Sequence, residues 1–168
     1  SEQLWARANE DRVSRLLFVT KIDHEPGDVE QRIAPILETL EAKGVYLQMP
    51  IGAEANFKGV VDLIGMKAYL YEGDAGKFAE TEIPADLKSS ADEWRQKMIE
   101  DVCETDDQLL EKFLDGKEPS TEELKKAIRE GTRDRNIFPI LFGAPLRQIG
   151  IAQLLDAVID YLPSPLDE

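Results

Sequence analysis

The chain has 168 residues, 42% of them hydrophobic and 32% charged, with a formal net charge of −14. That length suffices for one or two small domains with a real core. The negative balance argues against an electrostatic hold on nucleic-acid phosphates or an anionic membrane. A single cysteine, Cys103, excludes an internal disulfide and any multi-cysteine metal site. No apolar run reaches membrane-spanning length and no signal peptide is evident, so a reducing cytoplasm is the expected setting.

The opening SEQLWARANED places Leu4, Trp5 and Ala8 on one helical face, with Ser1 as a candidate N-cap. The helical start without an initiator Met suggests a piece of a longer protein. RLLFVT follows, and Leu16 to Thr20 read as a buried strand of the kind found in a sheet covered on both faces. In GDVEQRIAPILETLEAKG, Val29, Ile33, Ile36, Leu37 and Leu40 form a helical stripe. Pro35 should kink that helix, and Gly44 marks its expected stop.

The pattern then changes. VYLQMPIG, FKGVVDLIG and KAYLYEG read as short strands separated by glycines, with ETEIPAD as a further extended piece. From Pro84 to Gly131 the chain is helical and acidic. Leu87, Ala91, Trp94, Met98 and Val102 recur at helical spacing, and DDQLLEKFLDG is a short helix. STEELKKAIREG opens on a capping box, Ser120 with Glu123, and should stop at Gly131. IFPILFG is another apolar strand, and GIAQLLDAVIDYLPSP is a final amphipathic helix ended by prolines.

The expected fold class is therefore α/β. A partial doubly wound layer, helix-strand-helix plus a C-terminal strand-helix, encloses an inserted α+β subdomain. The expected division is 1–49 with 137–162 for the layer, 50–136 for the insert and 163–168 for a linker.

The chemistry centres on TKID. Ligands of doubly wound sheets bind beyond the carboxyl ends of strands. A carboxylate there, Asp23, can accept two parallel hydrogen bonds from guanine N1–H and its exocyclic amino group. Adenine would leave that buried charge unpaired. The Lys21 stem can lie along the purine face, and extended backbone would aim Lys21 and Asp23 the same way. On its own T-K-x-D is a weak signal, and His24 beside Glu25 needs no catalytic role.

The weight comes from the longer match. LFVTKID is similar to the guanine-specificity loop of translational GTPases, commonly N-K-x-D. MPIGAEANFKGVVDLIGMKAYLYEGD, EIPADL, FLDGKEPSTEELKKAIREGT and LLDAVIDYLPSPLD together resemble elongation factor G, over essentially the whole chain. The resemblance implies the second half of a P-loop-type GTPase domain with its inserted subdomain. It implies that Thr20, Lys21 and Asp23 hold guanine, and that FGAPL supplies the second guanine loop through Gly143, Ala144, Pro145 and Leu146. Two departures point to a diverged paralogue. Thr20 replaces Asn, and Pro145 stands where the family uses an alanine N–H, a donor that proline lacks.

GTP or GDP, with Mg²⁺ held by residues outside this chain, is the implied ligand of the intact parent. Hydrolysis needs a G-x-x-x-x-G-K-[ST] loop, which this sequence does not contain. GDAGKF (Gly73 to Phe78) lacks that spacing and reads as a turn. DLIG (Asp62 to Gly65) follows the base-recognition strand, so Asp62 reads as a strand-end residue. The resemblance also implies the ribosome as partner, with the stalk protein docking on the helix Asp86 to Val102 through Asp92, Glu93, Arg95, Glu100 and Asp101. Trp94 and Met98 read as core. The other readings are a non-hydrolysing ribosome-binding module and a ribosome-recycling or ribosome-protection GTPase.

Overall fold

Two β-sheets share one core. The computed structural model describes residues 2–23 and 28–167; the expected Ser1 cap and the His24–Glu25 pair lie outside them. The first sheet has three parallel strands, β1 (Leu17–Val19), β7 (Phe138–Phe142) and β2 (Gly44–Tyr46), in the order β1-β7-β2. The second has four antiparallel strands in sequence order: β3 (Gln48–Ile51), β4 (Gly59–Asp62), β5 (Lys67–Glu72) and β6 (Lys77–Thr81). The last strand in sequence is thus the centre of the parallel sheet, and the antiparallel sheet is built wholly from residues between β2 and β7.

VYLQMPIG forms two strands of different sheets. The joint is Leu47, whose N–H donates to Ile140 O at 3.1 Å in the parallel sheet. Its carbonyl accepts from Leu63 N at 3.1 Å beside the antiparallel one. The expected 49/50 division therefore falls inside β3.

Among the described residues, six helices cover the sheets: α1 (Glu2–Glu10), α2 (Val29–Thr39), α3 (Lys88–Cys103), α4 (Asp107–Leu114), α5 (Thr121–Arg133) and α6 (Ile151–Tyr161). Three expectations need correction. Leu4 points away from the body, and α1 is held instead by Trp5, whose ring meets Phe138 at 4.8 Å and carries the Arg15 guanidinium 4.0 Å above it. α2 ends at Thr39, and Gly44 opens β2, where a Cβ would lie 2.6 Å from Ile140 Cδ1. α5 runs past Gly131 to Arg133, because Gly131 is buried inside it against Ile137. Glycine at a helix end is only a tendency, and packing decides here. Pro35 does sit inside α2, and the Ser120–Glu123 capping box is formed.

The apolar run Leu16 to Thr20 predicts a strand covered on both faces. β1 is instead half-buried along its length, because it is an edge strand of this sheet. β7, flanked on both sides, is buried at every residue. The core continues from Ile140 and Phe142 through Tyr46, Trp94 and Met98 to Val60 and Val61 of the antiparallel sheet.

Candidate functional site: two loops at adjacent strand ends

In a parallel sheet neighbouring strands end on the same side. β1 and β7 pair with Val19 opposite Phe142, so Thr20 and Gly143 leave the sheet side by side. The Gly143 N–H donates to Val19 O at 3.0 Å and ties the two loops at their roots. Residues 123 positions apart, Thr20 and Gly143, are thereby brought to one sheet edge, at the place where α/β sheets bind ligands.

The first loop is tighter than an extended segment. Lys21 has φ +61°, in the left-handed region, so the extended geometry expected for Lys21 and Asp23 is not what the backbone adopts. The turn sends Lys21 outward and Ile22, 4% exposed, into the core. The Ile22 carbonyl accepts from Glu54 N at 3.1 Å, which anchors the loop to the 3-10 turn Glu54–Asn56. Asp23 is 8% exposed and already engaged in an interaction of its own. Thr20 is exposed. Nothing in the sequence marked Ile22 as the anchor, because its partner lies 32 residues on.

The second loop is fixed by glycines. A Cβ at Gly143 would lie 2.4 Å from Phe18 Cζ and 2.6 Å from Ile149 O, so only glycine lets β7 leave the sheet there. Gly150 precedes α6 at φ +83°, and a Cβ there would lie 2.4 Å from Phe142 O. Ala144 is buried, and its N–H donates to Ile149 O at 3.0 Å. Pro145 opens the 3-10 turn Pro145–Arg147. Leu146 is 91% exposed, and its N–H donates to no group among the described residues. Arg147 braces this turn against the antiparallel sheet, bonding Phe57 O at 2.9 Å and Asp74 at 3.2 Å.

Of the two misleading motifs, DLIG resolves as expected, whereas the expected turn GDAGKF ends at Gly76, since Lys77 and Phe78 open β6. Asp62 is the last residue of β4, and its carboxylate accepts from Ile64 N (3.0 Å) and Gly65 N (3.3 Å). Gly73 to Gly76 is the turn between β5 and β6. On α3, Met98 is buried, and Trp94 packs on Tyr46 with ring centres 5.1 Å apart. Asp92, Glu93 and Glu100 are exposed, and Asp101 is half-buried. Arg95 is not a free surface cation. It donates to Leu63 O (2.6 Å) and Ile64 O (2.8 Å) and pairs with Glu118 at 2.9 Å.

No family model matches the chain. No helix among the described residues is long and apolar enough to cross a membrane. Among solved structures, the crystal structure of a protein from Thermus thermophilus is similar at 32% identity and a TM-score of 0.85. The likeness covers 99% of this chain and 24% of that one, so this chain spans less than a quarter of that protein's length.

Proposed function

We propose that this chain is the base-recognition half of a ribosome-dependent translational GTPase related to elongation factor G. The observation that carries the reading is the hydrogen bond from Gly143 N–H to Val19 O, which sets the TKID and FGAPL loops side by side at adjacent strand ends. The antiparallel sheet with α3, α4 and α5 then corresponds to the inserted subdomain. The likeness to a protein more than four times the matched length agrees with a chain that is one part of such an enzyme.

The residues fit a guanine in a specific way. Asp23, at the end of a buried turn, takes the base N1–H and amino group, exchanging its present interaction for them. The outward Lys21 lays its stem along the purine face. Ala144 N–H is spent on Ile149 O and Pro145 has none, so Leu146 N–H is the donor left for guanine O6. Thr20 stands in the place of the family's asparagine and supports the neighbouring phosphate loop. Mg²⁺ and the phosphates of GTP or GDP, when bound, supply the phosphoryl-transfer chemistry through residues outside this chain. This chain orients the base.

The test is equilibrium binding of GDP and ADP to the intact parent protein. GDP should bind at least about a hundredfold more tightly, as expected when the wrong base leaves polar groups unpaired. Equal affinities would overturn the reading.

The exposed Asp92, Glu93 and Glu100 favour one further reading, an acidic docking surface for the ribosomal stalk protein on α3. Titration with the stalk C-terminal domain should show saturable binding that weakens when these three carboxylates are replaced by amides.

A further inference from the structure

A second cleft lies between the antiparallel sheet, α5 and α6, and the guanine reading makes no use of it. Its volume is about 140 Å³, and it is open to solvent. Three well-buried polar side chains line it with hydrogen-bonding capacity unspent.

Gln48 is 5% exposed, and its Oε1 accepts from the Phe142 N–H at 3.0 Å. A backbone N–H can only meet the oxygen, so the amide nitrogen is turned the other way. Gln153 is 9% exposed, and its Oε1 accepts from the Tyr71 hydroxyl, which leaves the Gln153 nitrogen without a partner among the described residues. Tyr161 is 4% exposed, and its hydroxyl bonds to no group among the described residues. The side chains are almost wholly buried, but their free polar atoms open onto the cleft, where solvent meets them. Three such atoms on a single cleft, drawn from β3 and α6, offer donors to a ligand that accepts hydrogen bonds.

The charge of the cleft adds a second requirement. Asp62, Asp156 and Asp160 line it together with Lys125. Lys125 Nζ lies 3.5 Å from Asp160 and offsets one carboxylate, so two negative charges remain. Among the described residues no three acidic, histidine or cysteine side chains converge closely enough to hold a metal ion. The carboxylates are spread for an extended cation rather than a point charge.

We propose that this cleft binds a small organic dication that also carries an accepting oxygen. Its ammonium groups meet Asp62 and Asp156, and its oxygen receives the Gln48, Gln153 and Tyr161 donors.

Lysinamide, with two ammonium groups and one amide carbonyl, is the probe, titrated calorimetrically into the intact parent protein. Cadaverine lacks the carbonyl and norleucinamide lacks the second ammonium. Lysinamide should bind with a dissociation constant of about 1 mM or tighter, and each comparator at least about fivefold more weakly. Tyr161→Phe removes a hydroxyl that the fold does not use and should weaken lysinamide about three- to tenfold. Asp156→Asn, at the exposed mouth, should do the same, whereas Asp92→Asn on α3 should leave binding unchanged. No saturable binding of lysinamide at about twenty times that concentration, equal binding of all three probes, or indifference to both cleft substitutions would each overturn the proposal.

Discussion

β1 and β7 are parallel neighbours in direct register, both read as apolar runs, and they sit in opposite situations. Leu17 faces Ile140 across the ladder, yet β1 is half-buried throughout while Ile140 is fully buried. The difference is position. β7 is flanked by β1 and β2, and β1 is an edge of the sheet as it stands here. A run of apolar residues therefore reports a strand's chemistry and not its neighbours. The TKID loop leaves from the less buried strand and the FGAPL loop from the more buried one, so the second loop is the more firmly packed half of the candidate site.

That contrast can be broken by paired truncation. Ile140→Ala should cost about 4 kcal/mol and Leu17→Ala about 1 kcal/mol in chemical denaturation of the chain, because only the first leaves an enclosed cavity. Similar costs would mean that the two strands are equally buried. The same pair sharpens the proposed function. If β1 gains another neighbour in the intact parent, the Leu17→Ala cost should rise towards that of Ile140→Ala there.

Gly143→Ala strikes the tie between the strands. Its Cβ would press on Phe18 and on the Ile149 carbonyl, at a cost of about 2–3 kcal/mol. Pro145→Ala, at the start of a surface turn, should leave stability within about 0.5 kcal/mol. It restores an N–H in the FGAPL loop and, on the proposed reading, adds a second donor beside that of Leu146, so it should tighten GDP binding in the parent by about two- to tenfold, the value of one hydrogen bond. An unchanged GDP affinity would mean that the restored N–H does not reach the base.

The smallest effect is a matter of pH. Burial raises the Asp62 carboxyl, against the opposing pull of the Ile64 and Gly65 N–H groups and the Lys125 and Arg95 charges. A carboxyl whose pKa is higher folded than unfolded favours folding at low pH, and that contribution is lost as pH rises through its folded value. Asp62→Asn escapes the loss. Its melting temperature should therefore improve relative to the unsubstituted chain as pH rises above the ordinary carboxyl range. A gap that does not change with pH would mean that Asp62 ionises without hindrance.

Much of the architecture was legible in the residues. Periodicity marked α3, α4, α5 and α6, the capping box marked the start of α5, and apolar runs marked β1 and β7. The parts that were not legible depend on distant partners. The change of sheet at Leu47 is hidden inside one apolar run and fixed by bonds to Ile140 and Leu63. The left-handed Lys21 follows from seating Ile22 in the core. Arg95 looked like a surface charge because the carbonyls it holds, Leu63 and Ile64, are about thirty residues earlier. The polar cleft joins Gln48 to Gln153 and Tyr161, and each alone reads as an ordinary helix or strand residue. Of the candidate site, Thr20, Lys21, Asp23 and the run Gly143 to Leu146 were recognisable as loops, while their adjacency is a property of the β1–β7 pairing alone.

The central claim is that Asp23 reads the base, and Asp23→Asn in the full-length parent tests it most directly. An amide there presents an N–H₂ where the carboxylate accepted, which suits the extra carbonyl of xanthine and disfavours the amino group of guanine. Competition binding should show the preference moving from GTP to xanthosine triphosphate. Guanine selectivity that survives the substitution unchanged would contradict the account.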